Sequence, residues 1–398
     1  MQRIRGTKTF IFFVVIAIFF VVSCGDKEVK TTNDVQTIEM PTELSEEGQS
    51  ESTEKENLPE KERPKVKGIY VTGNVAGSER MDDLIALVDA TELNTMVIDV
   101  KNDEGEITWK METSSVQAMG NGVAYIKDIH ALMTVLKEHG IYTIARIICF
   151  KDPVFAQNHL DCALTKADGA FITDAYGLAW VNPYQEAVWA YLTEIALAAA
   201  DVGFDEVQFD YVRFPIGSDA DAADYGVDMT TYTKEQAISG FLTYASERLH
   251  EKGIVVTADV FGTVIGSDTD IERVGQNYAA LGNIVDVLSP MVYPSHYGPG
   301  VFGFEVPDAH PYDTVQQALL LSQEALKQDT EEDQSTVIVR PWLQSFTATW
   351  VNGHISYGEK EIQEQIQAVY DAGYEEWILW NATCRYPLKS TETEEIDP

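Results

Sequence analysis

The sequence predicts an α/β protein whose folded domain, residues 66–388, is a (β/α)8 TIM barrel. Three observations lead to this prediction: eight β-rich runs, segments of helical period between them, and unequal lengths of the connecting loops. Alternating strands and helices are typical of a parallel sheet, and eight repeats favour closure into a barrel. A doubly wound open sheet is the alternative. It usually has fewer strands, and no glycine-rich GxGxxG motif follows the first run.

The eight runs are rich in β-branched and aromatic residues, as strands usually are. They are KGIYVT (67–72), TMVIDVK (95–101), YTIARIICF (142–150), EVQFDYVRF (206–214), VVTADVFG (255–262), VDVLSPMVYP (285–294), VIVRPWLQSF (337–346) and EWILWNA (376–382). Helical segments between them end at Gly140, Gly203 and Gly373, and glycine commonly follows the last turn of a helix. Too few residues follow the eighth run to form a full eighth helix.

The loops differ in length according to their position. Helix-to-strand connections are short, whereas strand-to-helix connections are long, especially 102–124, 151–181, 215–233 and 295–311. In a barrel, the strand-to-helix loops gather at the C-terminal face, where active sites lie. The sequence therefore predicts a functional site at this face.

The N-terminus has the organisation of an export signal. Arg3, Arg5 and Lys8 precede the apolar run 10–22, which is followed by Ser23 and Cys24. The run is shorter than the ~20 residues of a membrane-spanning helix. The stretch VVSC resembles a bacterial lipobox, so we expect residues 1–23 to be a lipoprotein signal peptide and Cys24 to carry the lipid. An uncleaved membrane anchor is the alternative, and it would also leave the remaining chain outside the membrane.

Polar composition marks two further segments. Residues 24–65 and 389–398 are rich in Glu, Ser, Thr and Lys and contain almost no aromatic residues. Such segments bury too little apolar surface to offset the entropy of ordering. We therefore expect a lipid-anchored disordered linker, then the barrel, then a disordered acidic tail. The predicted location is the cell membrane, facing the extracytoplasmic side.

Charge and motif content exclude several classes of function. The formal net charge is −36, which argues against nucleic-acid binding and suits a neutral or cationic partner. No Cys/His spacing of a metal site, no HExxH motif and no GxSxG motif occurs. We expect no metal and no cofactor. The sequence does not indicate the oligomeric state.

Strand alternation sorts the polar residues into inward and outward faces. In the fourth run, Val207, Phe209 and Tyr211 share the face expected to contact outer helices, whereas Gln208 and Asp210 share the inner face. The same parity directs other polar and aromatic side chains into the barrel or toward its mouth: Asp99, Lys101, Arg146, Asp259, Arg340, Trp342 and Gln344. A set of carboxylates with aromatic residues nearby is typical of glycoside hydrolysis. Buried ion pairs with a purely structural role are the alternative for any one of these residues.

Three stretches carry a family resemblance: residues 66–109, DEVQFDYVRFP (205–215) and LSPMVYPSHY (288–297). Together they resemble the glycoside-hydrolase-like barrel family DUF4015, and the likeness covers about 66–387. The FDYVRFP element also resembles strand four of alpha-amylase-type barrel glycosidases. In that group a strand-four Asp is the nucleophile, which implies this role for Asp210. The resemblance implies the acid role for Asp259 more weakly, because the amylase pattern has Glu there.

The expected function is hydrolysis of a poly- or oligosaccharide outside the cell, with Asp210 and Asp259 as the catalytic pair. Arg146 or Arg213 would keep Asp210 ionised by charge pairing. The expected carbohydrate-binding residues are Asp99, Arg146, Gln208, Arg213, Tyr293, Arg340, Trp342 and Trp380. A non-catalytic lipoprotein that binds carbohydrate or cell wall on the same scaffold is the alternative function. A two-lobed solute receptor fits less well, because the eight strands form one continuous series.

Overall fold

Parallel strands alternate with helices through residues 63–328 and 337–389, which are the residues that the computed structural model describes. The β-segments are β1 (Lys67–Val71), β2 (Thr95–Lys101), β3 (Tyr142–Ile148), β4 (Glu206–Asp210), β5 (Val255–Phe261), β6 (Val287–Met291), β7 (Ile338–Val339), β8 (Trp342–Gln344) and β9 (Trp377–Trp380). All neighbouring segments pair in the parallel sense, in the order β5-β4-β3-β2-β1-β9-β8-β6, and β5 pairs with β6 to close the ring. The expected closed (β/α)8 barrel is therefore confirmed.

The helices lie between the strands. They are α1 (Gly73–Ala76), α2 (Arg80–Ala90), α3 (Ser114–Met119), α4 (Ile129–Glu138), α5 (Pro153–Asn158), α6 (Glu186–Val202), α7 (Ser218–Asp221), α8 (Lys234–His250), α9 (Asp268–Val274), α10 (Tyr278–Gly282), α11 (Pro311–Gln328) and α12 (Glu359–Asp371). Short 3-10 turns occur at Gly262–Val264, Pro294–His296, Val301–Gly303 and Pro307–Ala309. No helix occurs in the described residues after β9, 381–389, in line with the short C-terminal segment.

The seventh strand of the barrel is interrupted. β7 and β8 both pair with β6, one after the other, and Arg340 and Pro341 separate them. Proline has no N–H group to donate to a strand ladder. The single run expected at 337–346 is therefore two short segments that together form one of the eight strands.

Apolar packing between the barrel wall and the helices makes up the core. Phe209 of β4 is fully buried and contacts Phe241 of α8, with ring centroids 5.2 Å apart. Phe150, just after β3, contacts the same ring at 5.4 Å. This outward packing of Phe209 confirms the face expected for it and leaves Gln208 and Asp210 on the inner face.

The predicted signal peptide and the lipidation site Cys24 lie outside the described residues, as do nearly all of the linker and tail. These assignments remain predictions. Among the described helices, none is both long and apolar enough to cross a membrane.

Candidate functional site

A cavity of about 650 Å³ opens at the C-terminal end of the barrel strands. Its wall includes Tyr70 near the end of β1, Asp210 at the end of β4 and Trp380 at the end of β9. The position is the one that the long loops predict. Its size suits a ligand of one or a few sugar rings.

Arg146 links the two acidic side chains on either side of it. Its Nη2 and Nε donate to Asp210 Oδ2 at 2.5 and 3.0 Å, and its Nη1 donates to Asp99 Oδ1 at 2.7 Å. Parallel registration places Arg146 opposite Asp99 on β2 and opposite Gln208 on β4, so neighbouring strands present these groups at the same height. Between Arg146 and Arg213, it is Arg146 that pairs with Asp210.

Asp99 is held by a second donor on the next strand. Tyr70 Oη donates to Asp99 Oδ2 at 2.5 Å, and the guanidinium carbon of Arg146 lies 5.2 Å from the centre of the Tyr70 ring. Burial raises the pKa of Asp99 to about 6, even though the positive charge of Arg146 acts in the opposite direction. Tyr70, Asp99, Arg146 and Asp210 thus form one hydrogen-bonded chain across four strands.

Asp210 faces the cavity with a fixed orientation. Its Oδ1 accepts the backbone N–H of Tyr211 at 2.6 Å, while Arg146 occupies Oδ2. Only 6% of the residue is exposed, and the residue is part of the cavity wall. A carboxylate held in this way can approach a bound sugar without reorganising its own contacts.

Tyr211 differs from its expected position. Strand β4 ends at Asp210, and Tyr211 has φ = 50°, in the left-handed region that is uncommon for a bulky residue. The strict alternation of a strand ends there, and the Tyr211 side chain joins the cavity wall rather than the outer face. Lys151 Nζ lies 3.9 Å from the ring centre.

Asp259 does not reach the cavity surface. It is fully buried, and its Oδ1 accepts hydrogen bonds from Gln208 Nε2 and from Trp342 Nε1, the latter at 2.7 Å. Its Oδ2 has no hydrogen-bond partner among the described residues. Burial, followed by the negative charge of Asp210, raises the pKa of Asp259 well above its usual range. A group so enclosed cannot touch a substrate, so the structure does not support the acid role expected for Asp259.

Gln208 and Arg340 are also removed from the cavity. Gln208 is fully buried beneath it, in contact with Asp259. Arg340 is fully buried as well, and it donates to both oxygens of Glu206, at 2.6 and 3.2 Å, and to Glu376 at 3.0 Å. Because Glu206 begins β4 and Glu376 precedes β9, this ion cluster lies toward the N-terminal end of the strands. Neither residue is in the cavity wall, so the structure does not support the substrate-binding role expected for them.

Lys101, expected to point into the barrel or toward its mouth, is not among the wall residues of the cavity. The register between β2 and β3 shifts between Asp99 and Lys101. Lys101 is fully buried, donates to the carbonyl of Ile148 at 2.7 Å and pairs with Asp152 at 2.9 Å. It links the end of β2 to the end of β3 and to Asp152 in the segment that follows β3.

Aromatic side chains form much of the cavity wall. Tyr293, Trp342 and Trp380, all expected to line sugar subsites, are in the wall. Tyr70 and Trp380 stack with centroids 6.2 Å apart, and Tyr293 lies 6.0 Å from Trp380. At the mouth, Trp350 stacks on Phe346 at 5.8 Å and is 66% exposed. Exposed aromatic faces at the edge of a cavity are suited to contact sugar rings.

Asp103 is a candidate that the strand pattern did not identify. It lies in the loop after β2 and lines the cavity, and among the described wall residues it and Asp210 are the two carboxylates. Its Oδ1 lies 3.1 Å from Lys151 Nζ. A smaller cavity of about 250 Å³, which contains Asp99 and Glu104, shares Asp103 with the larger one. The acidic stretch NDEGE (102–106) directly after β2 is the sequence signal that could have pointed to it.

Metal ligation has no support in the part of the chain that the structure describes. No group of three or more His, Cys, Asp or Glu side chains there is arranged to hold a metal ion. The arrangement instead offers two wall carboxylates, a fixed guanidinium and aromatic faces.

Solved structures share the barrel. The PgaB (BpsB) glycoside hydrolase domain from Bordetella bronchiseptica superposes with a TM-score of 0.58 at 12% identity, covering 80% of this chain and 94% of that chain. An alpha-galactosidase from Thermus thermophilus in complex with stachyose gives a TM-score of 0.50 at 13% identity, covering 83% and 64%. A hypothetical protein from Ruminiclostridium thermocellum ATCC 27405 is 34% identical, covering 48% of this chain and 97% of that chain, with a TM-score of 0.44. The first two likenesses show the fold.

Comparison at the level of sequence families is more specific. No curated protein matches the chain. A family model matches residues 68–386, which include every strand of the barrel except the first residue of β1. The chain therefore belongs to the DUF4015 family, whose model is described as "Putative glycosyl hydrolase domain".

Proposed function

We propose that the protein is a glycoside hydrolase that cleaves a poly- or oligosaccharide in the C-terminal cavity of its barrel. The observation that carries this proposal is the carboxylate of Asp210, held by Arg146 in the wall of a cavity whose other wall residues include several aromatic rings. Glycoside hydrolysis commonly uses two carboxyl groups together with aromatic contacts to the sugar. The family description agrees with this reaction class.

Asp210 would act as the nucleophile. Its carboxylate would attack the anomeric carbon while the glycosidic bond to the leaving oxygen breaks, forming a glycosyl ester. Arg146 would stabilise the carboxylate before attack and hold its plane, through the two hydrogen bonds to Oδ2. Water would then cleave the ester and regenerate Asp210.

Asp103 would act as the general acid and then as the general base. It would give a proton to the departing oxygen in the first step and remove one from water in the second, as the paired carboxyl of a retaining glycosidase does. Two observations favour it over Asp259: Asp103 lies in the cavity wall, and Asp259 is fully buried behind Gln208 and Trp342. Asp259 would instead position Trp342, whose indole N–H it accepts.

The proposal extends to the location of the enzyme. A lipid on Cys24 would anchor the chain, and the polar segment 24–65 would hold the barrel away from the membrane. The carbohydrate would then be an extracellular or cell-wall glycan. The support for this part is the N-terminal sequence alone.

Hydrolysis by the purified full chain, kept soluble in a zwitterionic detergent, tests the proposal. A panel of bacterial exopolysaccharides and wall glycans would be incubated with the wild type and with Asp210→Asn, Asp103→Asn and Asp161→Asn. The last is a matched control, because Asp161 is exposed and outside the cavity. We expect reducing ends to appear with the wild type and the control and to fall by at least about 100-fold in the other two variants.

Leaving-group dependence separates the two roles. Loss of Asp103 should lower the rate of hydrolysis of aryl glycosides with good leaving groups far less than that of natural glycans, because such leaving groups depart without protonation. Loss of Asp210 should affect both. Glycan binding by the wild type without any release of reducing ends would instead favour the non-catalytic carbohydrate-binding alternative.

A further inference from the structure

Arg213 is a buried cation in the wall of the cavity. It is 8% exposed, yet among the described residues no carboxylate forms an ion pair with it. The nearby carboxylates are engaged elsewhere: Asp210 with Arg146, and Asp174 with Lys151 at 3.6 Å. Buried charges destabilise a protein unless they are paired. An unpaired guanidinium in a cavity wall is therefore a candidate to bind an anionic group of a ligand.

Aromatic rings hold the guanidinium in place. Its central carbon lies 4.5 Å from the centre of the Phe261 ring, 4.8 Å from that of Trp180 and 5.2 Å from that of Tyr211. Cation–π contacts of this kind partly offset desolvation and restrict rotation of the side chain. Burial lowers the pKa of Arg213 to about 10, so it stays a cation at neutral pH.

The guanidinium makes a single hydrogen bond among the described residues. Nη1 donates to the carbonyl of Phe214 at 2.9 Å, whereas Nε and Nη2 have no acceptor among the described residues. Arg213 is part of the cavity wall, three residues beyond Asp210. The Nε–Nη2 edge presents two parallel N–H groups, the arrangement that binds the two oxygens of a carboxylate.

We propose that Arg213 binds the carboxylate of a uronic acid residue, so that the substrate of this cavity is a uronate-containing glycan. This inference rests on the proposed carbohydrate-binding function and adds the chemical class of the sugar. A uronate is anionic, whereas the net charge of −36 suggests a neutral or cationic partner. Repulsion by distant charges is screened beyond roughly 10 Å at 0.1 M salt, whereas a contact inside the cavity is screened much less.

Binding measured without turnover tests this inference separately from hydrolysis. Trimers of glucuronate, galacturonate and mannuronate would be titrated into the full chain by calorimetry, each compared with the same trimer after carboxyl reduction. The protein would carry Asp210→Asn to prevent cleavage. It would be compared with the same background plus Arg213→Met, which keeps an apolar chain among the rings. A further variant, Arg213→Lys, keeps the charge but not the paired N–H groups of the guanidinium.

A matched control comes from an arginine outside the cavity. Arg248 of α8 also stacks on a tyrosine, with its central carbon 3.5 Å from the Tyr244 ring centre, so Arg248→Met removes a similar contact elsewhere. We expect at least one uronate trimer to bind, to bind about 10- to 100-fold more weakly with Arg213→Met, and to be unaffected by Arg248→Met. Thermal unfolding of each variant would show that the fold is intact.

Two results would overturn the inference. One is that no uronate trimer binds more tightly than its carboxyl-reduced form. The other is that Arg213→Met leaves uronate binding unchanged in a folded protein. Hydrolysis of a neutral glycan that does not depend on Arg213 would leave the proposed hydrolase function standing and remove only the uronate assignment.

Discussion

Arg146 and Asp210 lie on neighbouring strands, and two guanidinium nitrogens of Arg146 donate to the same oxygen of Asp210, at 2.5 and 3.0 Å. The third nitrogen donates to Asp99 at 2.7 Å. One buried cation therefore fixes two carboxylates at once. The orientation of the proposed nucleophile depends on this arginine rather than on Asp210 alone.

Replacement of this cation should affect both stability and activity. Arg146→Met leaves two buried carboxylates without their partner, and the free energy of unfolding should fall by about 3–5 kcal/mol. Arg146→Lys keeps the charge but cannot contact both carboxylates in the same plane, so kcat should fall more than stability does. Chemical denaturation and initial rates would be measured on the same preparations. A folded Arg146→Met variant with wild-type kcat would contradict the positioning role.

Stability should depend on the protonation of Asp99. Burial raises the pKa of this carboxyl from 3.8 to about 6, so between these values the folded state binds more protons than the unfolded state. The contribution is present at low pH and is lost as the pH rises from about 4 to about 6. The unfolding free energy of the wild type relative to Asp99→Asn should therefore fall by up to about 3 kcal/mol across this range. A pH-independent difference between the two proteins would contradict this expectation.

The ion cluster of Arg340 should contribute to stability and not to substrate binding. Arg340→Met removes an ion-pair partner of Glu206 and one of Glu376, both buried, and should lower the free energy of unfolding by about 3–5 kcal/mol. The double variant Arg340→Met with Glu206→Gln should recover part of the loss, because one uncompensated charge is removed. KM of the folded fraction should stay at the wild-type value. A large rise in KM without a loss of stability would restore Arg340 to the substrate site.

Trp350 at the mouth should contribute to binding of long substrates. The residue is 66% exposed and its ring stacks on Phe346, so Trp350→Ala should leave stability nearly unchanged and raise KM for polysaccharides by about 2- to 10-fold. Leu160→Ala is a matched control, because Leu160 is 67% exposed and does not line the cavity. Equal effects of the two substitutions on KM would show that the mouth aromatic has no specific role.

The sequence was sufficient for the fold because its pattern repeats. Eight runs of strand character with intervening helices allow few other closed arrangements, and parity alone assigned Phe209 outward and Asp210 inward correctly. Parity failed where the backbone departs from a regular strand. The left-handed conformation of Tyr211 brings its side chain to the cavity wall, and the register of β2 with β3 shifts just before Lys101.

Depth along the barrel was harder to predict than direction. Arg340 and Asp259 point inward as expected, but one pairs with Glu206 toward the opposite end of the strands and the other is enclosed by Gln208 and Trp342. Only the packing of neighbouring strands decides such positions. Asp103 was missed for a different reason. It belongs to a loop, and strand periodicity carries no information about where a loop residue lies.

The most direct measurement concerns the bond that Asp210 is proposed to form. The wild-type chain would be incubated with a 2-fluoro glycoside of the sugar identified by the glycan panel, which slows breakdown of a glycosyl ester, and then digested and analysed by mass spectrometry. We predict a sugar adduct on the peptide that contains Asp210, and none in Asp210→Asn. An adduct on a different carboxyl group, or hydrolysis of the natural glycan with inversion at the anomeric carbon, would contradict the nucleophilic role of Asp210.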